Sequence, residues 1–244
     1  MKSERFSELG IFNWEMMTGS TRIVPSIEKF GPGQLVLDAG CGLGGITISI
    51  ALADHQVSAV DINSERVQKA SRYSRQHRLN NDFVVADVLS LPFRSCVFHF
   101  VVLCEVVEHV RSCLACLREC HRVLRVGGAA YVSFPPYYGP FGGHLRTHIL
   151  FPYAHYLPKT VVRILIRRKG DIGILTARHL TRLFESLNKL TIFRFESFAR
   201  ATGFALHPIQ EGRHKELWRF TARSFPAGLR DLIAIWYSSL LIKK

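Results

Sequence analysis

Residues 101–110 read VVLCEVVEHV, an apolar run that stops at two carboxylates and an imidazole. Glu105, Glu108 and His109 stand at i, i+3 and i+4, positions that share one face of a helical turn. Such a set can converge on a divalent cation, exchange protons with a substrate, line a ligand pocket, or simply open a helix. A second set lies upstream in LDAGCGLGG, where Asp38 precedes Gly40, Gly42, Gly44 and Gly45. Glycines there allow a tight turn and let backbone N–H groups at a helix start approach a ligand. Gly40, Gly42 and Gly45 alone satisfy G-x-G-x-x-G, a weak signal by itself. Asp61 follows 21 residues after Gly40, where an acid can take both hydroxyls of a ribose. Asp87, in VVADVLSLPF, is placed to accept a hydrogen bond from an adenine amino group.

The elements that must position these groups alternate. Apolar runs at 34–40, 56–62, 82–88, 97–104 and 128–136 read as strands, and segments at about 44–53, 64–79 and 112–125 as helices. Ser64 stands as the N-cap of the second helix, and Gly127-Gly128 as the stop of the third. Nearly continuous apolar strands alternating with helices predict a parallel sheet covered on both faces. Asp38, Asp61, Asp87 and Glu105 then stand at successive strand ends, the rim where open α/β sheets bind ligands. The rhythm breaks over 137–190, a Gly/Pro/Tyr loop followed by an apolar and basic stretch, read as an insertion capping the edge of the sheet. A helix over 191–203 closed by Gly203, a strand at 204–210, a short helix at 215–225 and a terminal strand at 232–244 complete seven strands. Trp14 and the EMMTGSTR segment predict a helix closing over the ligand.

In order and spacing, DAGCGLG, AVDIN, ADVLSLPF and ECHRVLRVGGAAYVS resemble the class I S-adenosylmethionine-dependent methyltransferases. They are similar in particular to the type 11 group that includes the ubiquinone-biosynthesis enzymes. The likeness covers about residues 30–135. It implies a Rossmann-like, seven-stranded, mostly parallel α/β sheet with a helical cap insertion, and S-adenosyl-L-methionine as cofactor. By position it implies that Gly40 and Gly42 approach the methionine moiety, Asp61 holds the ribose, Asp87 with Val88 frames the adenine, and Asp38 orients the glycine loop. Cys41, Gly44, Ile62, Cys104 and Glu105 complete the expected cofactor wall. In the type 11 group, E-x-x-E-H lies beside the methionine portion of the cofactor, with Glu108 and His109 on the floor of the substrate site. The same arrangement occurs in small-RNA 2′-O-methyltransferases, where it implies Mg²⁺ and a further downstream histidine. His144 in GPFGGHLRTH could supply that ligand, but no metal is assigned here. His144, His109 and Glu108 are the expected catalytic residues, with His144 preferred as base and Tyr137 and Tyr138 as competitors. His148, His155 and His179 have no comparable placement.

Length and composition bound the rest. The chain has 244 residues, 48% hydrophobic and 21% charged, as expected of a folded α/β domain with ample core. The expected organisation is an N-terminal helical segment (1–30), a cofactor-binding core (31–136), the cap insertion (137–190) and a C-terminal helix with strands (191–244). Residues 1–140 carry 14 Lys and Arg against 13 Asp and Glu, whereas residues 141–244 carry 18 against 6. The basic second part suits an anionic partner: an acidic or phosphorylated acceptor, lipid headgroups, or nucleic acid. In 159–169 the basic residues alternate with Val161, Val162, Ile164, Leu165 and Ile166, the pattern of a membrane-surface helix or of an ordinary capping helix. Cys113, Cys116 and Cys120 share one helix face, as small core residues do. The six cysteines, the lack of an apolar leader and the lack of a membrane-length apolar run suggest cytoplasmic residence, with peripheral membrane contact through 159–169. The expected activity is methyl transfer to a small-molecule, glycan or lipid-linked acceptor, most simply at oxygen. An RNA methyltransferase assisted by Mg²⁺ and a cofactor-holding protein without turnover are the alternatives.

Overall fold

The computed structural model describes residues 7–79, 81–145, 148–172, 176–209, 230–232, 234 and 236–244. Seven strands form one sheet in the order β3-β2-β1-β4-β5-β7-β6. They are β1 (Leu35–Ala39), β2 (Gln56–Asp61), β3 (Asn81–Val85), β4 (Phe98–Cys104), β5 (Leu124–Phe134), β6 (Phe204–Pro208) and β7 (Tyr237–Lys243). β1 to β5 run parallel, and β7 inserts antiparallel between β5 and β6. The seven-stranded, mostly parallel sheet expected from the alternation is present.

Register sets the rim. Asp38 pairs with Ala59 on one side and Val102 on the other, and Asp61 pairs with Val85. The ends of β1, β2 and β4 are therefore level, and the residues just beyond them meet at one edge. Below the rim, Leu37, Val101, Leu103 and Val132 enter one apolar layer, while Val36, Val102 and Tyr131 enter the layer on the opposite face. Alternate residues of a strand point to opposite faces, so both layers need apolar side chains, hence the unbroken hydrophobic runs. Helix α3 (Gly45–Leu52) is correspondingly apolar all round, with Ile46, Ile48 and Ile50 buried. In α5 (Cys113–Val123), Cys113, Cys116, Leu117, Cys120 and Val123 face the sheet and Ser112 caps the first turn by accepting from the Ala115 N–H.

Several local expectations are corrected. Asn63, not Ser64, caps α4 (Ser64–Gln76), because its side chain accepts the Arg66 N–H at 3.1 Å. Gly127-Gly128 does not stop α5, which ends at Val123 and passes directly into β5. Phe98 pairs with Leu124 and Phe100 with Ala129, so residues 125–128 bulge from the ladder with Gly127 at φ 75°. Strand β3 ends at Val85, which leaves Asp87 in the following loop. The terminal strand begins at Tyr237 rather than 232, and the helix expected at 215–225 lies outside the described residues.

At the N-terminus, α1 (Glu8–Thr18) runs through a π-helical turn at Gly19–Ile23 into α2 (Val24–Glu28). Gly19 is needed there, since a Cβ would lie 2.6 Å from the Cβ of Ser49 on α3. The 137–190 insertion carries α6 (Lys159–Lys169) and α7 (Ala177–Ser186) around a small core of its own, built from Leu145, Ile149, Val162, Ile166, Leu180 and Phe184. It lies over the carboxyl rim rather than along an outer strand. Asn188 fastens it there, donating to the Val107 and Val110 carbonyls while its own N–H reaches the Glu108 carbonyl. Helix α8 (Ile192–Ala201), capped by Thr191, leads into β6 through Gly203. Among the described residues no helix is long and apolar enough to cross a membrane.

Candidate active site

A cavity of about 710 Å³ opens at the carboxyl rim, between α1, the strand ends and the insertion. Its floor is the turn from β1 to α3. Gly40 has φ 92° and a Cβ there would lie 2.3 Å from Val106 Cγ2, so only glycine fits. The N–H groups of this turn are all spent within the protein. Gly40 and Cys41 donate to the Val60 carbonyl, Gly42 to Asp61 Oδ2 at 3.0 Å, and Gly44 to the Cys41 carbonyl. Leu43 and Gly45 donate at 3.2 and 2.9 Å to the two carboxylate oxygens of Glu15, which reaches over from α1. The expectation that these N–H groups meet a ligand is thus corrected. The turn offers a ligand its close approach, not its donors.

The electrostatics follow from burial. Asp38 lies beneath the floor, accepts the Thr47 hydroxyl at 2.6 Å, and is raised to a pKa of about 7 by desolvation. Glu15 is also lifted to about 7 by burial, against the two N–H bonds that favour its ionised form. Asp61 accepts the Asn63 N–H through Oδ1 and the Gly42 N–H through Oδ2, which points its carboxylate into the cavity wall. Asp87 accepts the Leu89 N–H at 2.9 Å, and its loop presents Asp87 and Val88 beside Ile62. Of the expected cofactor residues, Asp38 and Gly44 do not line the cavity. Gly44 instead turns the chain into α3 at φ 87°, where a Cβ would clash with Ala70.

The far wall holds the Glu/His cluster. Glu105 adopts φ 56° and His144 φ 55°, left-handed backbone that non-glycine residues rarely take. Glu105 is tied back by its N–H to the Ser133 carbonyl. Glu108 is 3% exposed, and its Oε1 lies 3.7 Å from His109 Nε2 and 3.6 Å from His144 Nε2. These separations exceed hydrogen-bond length. Both Glu108 oxygens, His109 Nδ1 and His144 Nε2 are buried without a hydrogen-bond partner. Burial raises Glu105 and Glu108 to about 7 and lowers both histidines below the ordinary imidazole value of 6.5. The imidazoles are therefore neutral near pH 7 and free to accept a proton. One ligand atom from each of Glu108, His109 and His144 also fits within 4.8 Å of the others, a spacing that can hold a cation.

The cavity thus gathers Gly40, Cys41, Gly42, Asp61, Ile62, Asp87, Val88, Cys104, Glu105, His109 and His144 from the sequence reading. Glu108 stands just behind, touching the two histidines. Tyr137 is engaged elsewhere, its ring edge-on to His155 and beneath Lys189.

Residues 37–132 match the Methyltransf_11 family, described as a methyltransferase domain. Over those residues the chain is similar to the type 11 group of class I methyltransferases. The chain is 35% identical over 103 residues to the ubiquinone biosynthesis O-methyltransferase of Xanthomonas campestris pv. campestris (strain B100). That match takes in 42% of this chain and 43% of the relative, so it spans less than half of either protein. Over 99% of this chain and 96% of the other, the fold resembles the PH0226 protein from Pyrococcus horikoshii OT3, with a TM-score of 0.62 at 16% identity. Phosphoethanolamine N-methyltransferase 2 of Haemonchus contortus, solved in complex with S-adenosyl-L-methionine, is similar with a TM-score of 0.60 at 16% identity, over 98% of this chain and 58% of that one. At such identities the likeness speaks for the fold alone.

Sequence reading missed four titratable cavity residues. Glu15 opens the EMMTGSTR segment expected to close over the ligand, but only its burial and its two hydrogen bonds single it out within that helix. Arg66 on α4 and Arg111 beside the Glu/His cluster also reach the wall. His179 on α7, set aside for lack of placement, is brought there by the insertion.

Proposed function

We propose that this chain transfers a methyl group from S-adenosylmethionine to a hydroxyl of a small-molecule acceptor. The observation that carries the reading is the glycine turn. All of its N–H groups are taken and Glu15 and Asp61 stand beside it, an arrangement hostile to a pyrophosphate and suited to a cationic sulfonium compound. A sulfonium donor brings its methyl group already activated, so the protein has to align an acceptor, exclude water and, for a hydroxyl, remove a proton. Asp61 is assigned the ribose hydroxyls, and Asp87 with Val88 the adenine. His144, across the cavity, is assigned the proton through Nε2. Glu108 then stabilises the imidazolium that forms, since a carboxylate 3.6 Å away gains ionic attraction as the ring charges. The curated O-methyltransferase relatives support oxygen as the acceptor atom. They lend no support to an RNA substrate or to a protein without turnover.

A lipid-linked acceptor is the finer reading, supported by α6. Val161 and Ile164 are exposed on its outer face beside exposed Arg167 and Arg168, while Val162 and Ile166 are buried in the cap core. Such a face suits contact with an anionic bilayer surface.

The test is transfer of labelled methyl from S-adenosylmethionine to small phenolic and lipid-linked hydroxyl compounds. Turnover is expected, with His144→Ala lowering kcat about 100-fold and leaving donor affinity unchanged. Because burial lowers the His144 pKa, the loss of rate caused by protonation of that ring should fall below the ordinary histidine range. Turnover unaffected by His144→Ala would remove the base assignment. The orphaned polar atoms of the cluster also favour a second reading, in which Glu108, His109 and His144 hold a divalent cation. Loss of turnover on chelation, restored by Mg²⁺, would decide for it.

A further inference from the structure

Glu15 belongs to no motif, yet it occupies the most conspicuous polar position in the donor pocket. The residue is 8% exposed, and its two carboxylate oxygens take the Leu43 and Gly45 N–H groups at the start of α3. These are the donors that a helix start otherwise offers to a phosphate or carboxylate. The fit is close: a Cβ on Gly42 would lie 2.6 Å from Glu15 Oε1, and one on Gly45 would lie 2.6 Å from Glu15 Cβ. The same residue lines the cavity, next to Trp14 and Ile11 of its own helix. Asp38 and Arg66 are the charged groups that act on it, one opposing its ionisation and one favouring it. Asp61 stands across the turn, so Arg66 does not cancel the local negative charge.

We propose that Glu15 is a specificity-determining residue of the donor site, closing the α3 helix start to anionic ligands and favouring the cationic donor over its neutral product. The inference rests on the sulfonium-donor reading and deepens it. A filled N–H pair has nothing left to give a nucleotide phosphate, and the carboxylate that fills it repels one. S-adenosylmethionine carries a positive sulfur that S-adenosylhomocysteine lacks, so a carboxylate in the wall distinguishes the two by charge. Because α1 carries Glu15, the same contact seats Trp14 against the cavity.

The experiment is calorimetric titration of the full chain at pH 8, where Glu15 is ionised, with S-adenosylmethionine, S-adenosylhomocysteine and ADP. The variants are Glu15→Gln, which keeps shape and loses charge, and Glu15→Ala, which frees both N–H groups. Wild type is expected to prefer the sulfonium compound and to show no ADP binding. Both variants should reduce that preference about tenfold, and Glu15→Ala should gain measurable ADP affinity. Equal losses for the two adenosyl ligands, with no ADP binding by Glu15→Ala, would make Glu15 a structural brace and overturn the proposal. If Glu15→Ala unfolds by circular dichroism, the ligand ratio of Glu15→Gln decides alone, an unchanged ratio overturning the proposal. Failure of the wild type to bind either adenosyl ligand would instead refute the donor reading itself.

Discussion

The carboxyl rim and the insertion above it are built on opposite principles. On the rim, Asp61 and Glu105 end or follow strands held by ladders on both sides, and Asp87 follows the edge strand β3, which pairs with β2. The backbone that carries Asp61 and Glu105 cannot shift without moving the sheet. The insertion has a core of a few residues, separate from the two sheet layers, and offers His144 and His179 from a loop and a short helix. The charge differs as well, since the near-neutral first 140 residues contrast with 18 basic against 6 acidic residues in the rest. A rigid side suits a ligand that never changes, and a separately built side suits one that differs between relatives, because loops on a fixed scaffold can vary without costing the fold. Under the proposed function, the rigid side takes the donor and the separately built side the acceptor.

Three substitutions would break or sharpen that contrast, taken from the largest expected effect to the smallest. Gly40→Val places a branched side chain at φ 92° and against Val106, so donor affinity should fall more than about 100-fold. Calorimetry measures this, and near-normal donor binding would mean that the rim is not rigid. Asp61→Ala removes a charged acceptor from the wall and should cost at least about tenfold in S-adenosylmethionine affinity. Unchanged affinity would refute the ribose placement. Ile164→Glu, on the outer face of α6, should lower co-sedimentation with phosphatidylglycerol vesicles about fivefold. Donor affinity in solution should stay the same. Equal sedimentation of variant and wild type would leave the face without a membrane role.

Much of the rim was legible in the sequence because its signals are local. A glycine turn after an apolar run, an acid at the end of the next and a third acid soon after are read from spacing, since strand ends in a parallel sheet share an edge. Boundaries were less legible. Asn63 competes with Ser64 for one N–H, and the 3.1 Å bond to Arg66 decides for Asn63. Gly127-Gly128 reads as a helix stop, but pairing with β4 turns it into a bulge. In the insertion the basic helix was visible, whereas its seat over the rim depends on Asn188 bonding to carbonyls about 80 residues earlier.

The sequence by itself determined the class of fold and the level row of rim residues, because periodicity and turn chemistry act over a few residues. Only the tertiary structure decided how the turn's hydrogen bonds are spent and which groups face each other across the cavity. Glu15 meets Gly45 across 30 residues, and His144 meets Glu108 from a loop that no pattern aims. Such pairings follow from packing, in which a buried polar atom finds whatever partner the fold brings near it, at any distance along the chain.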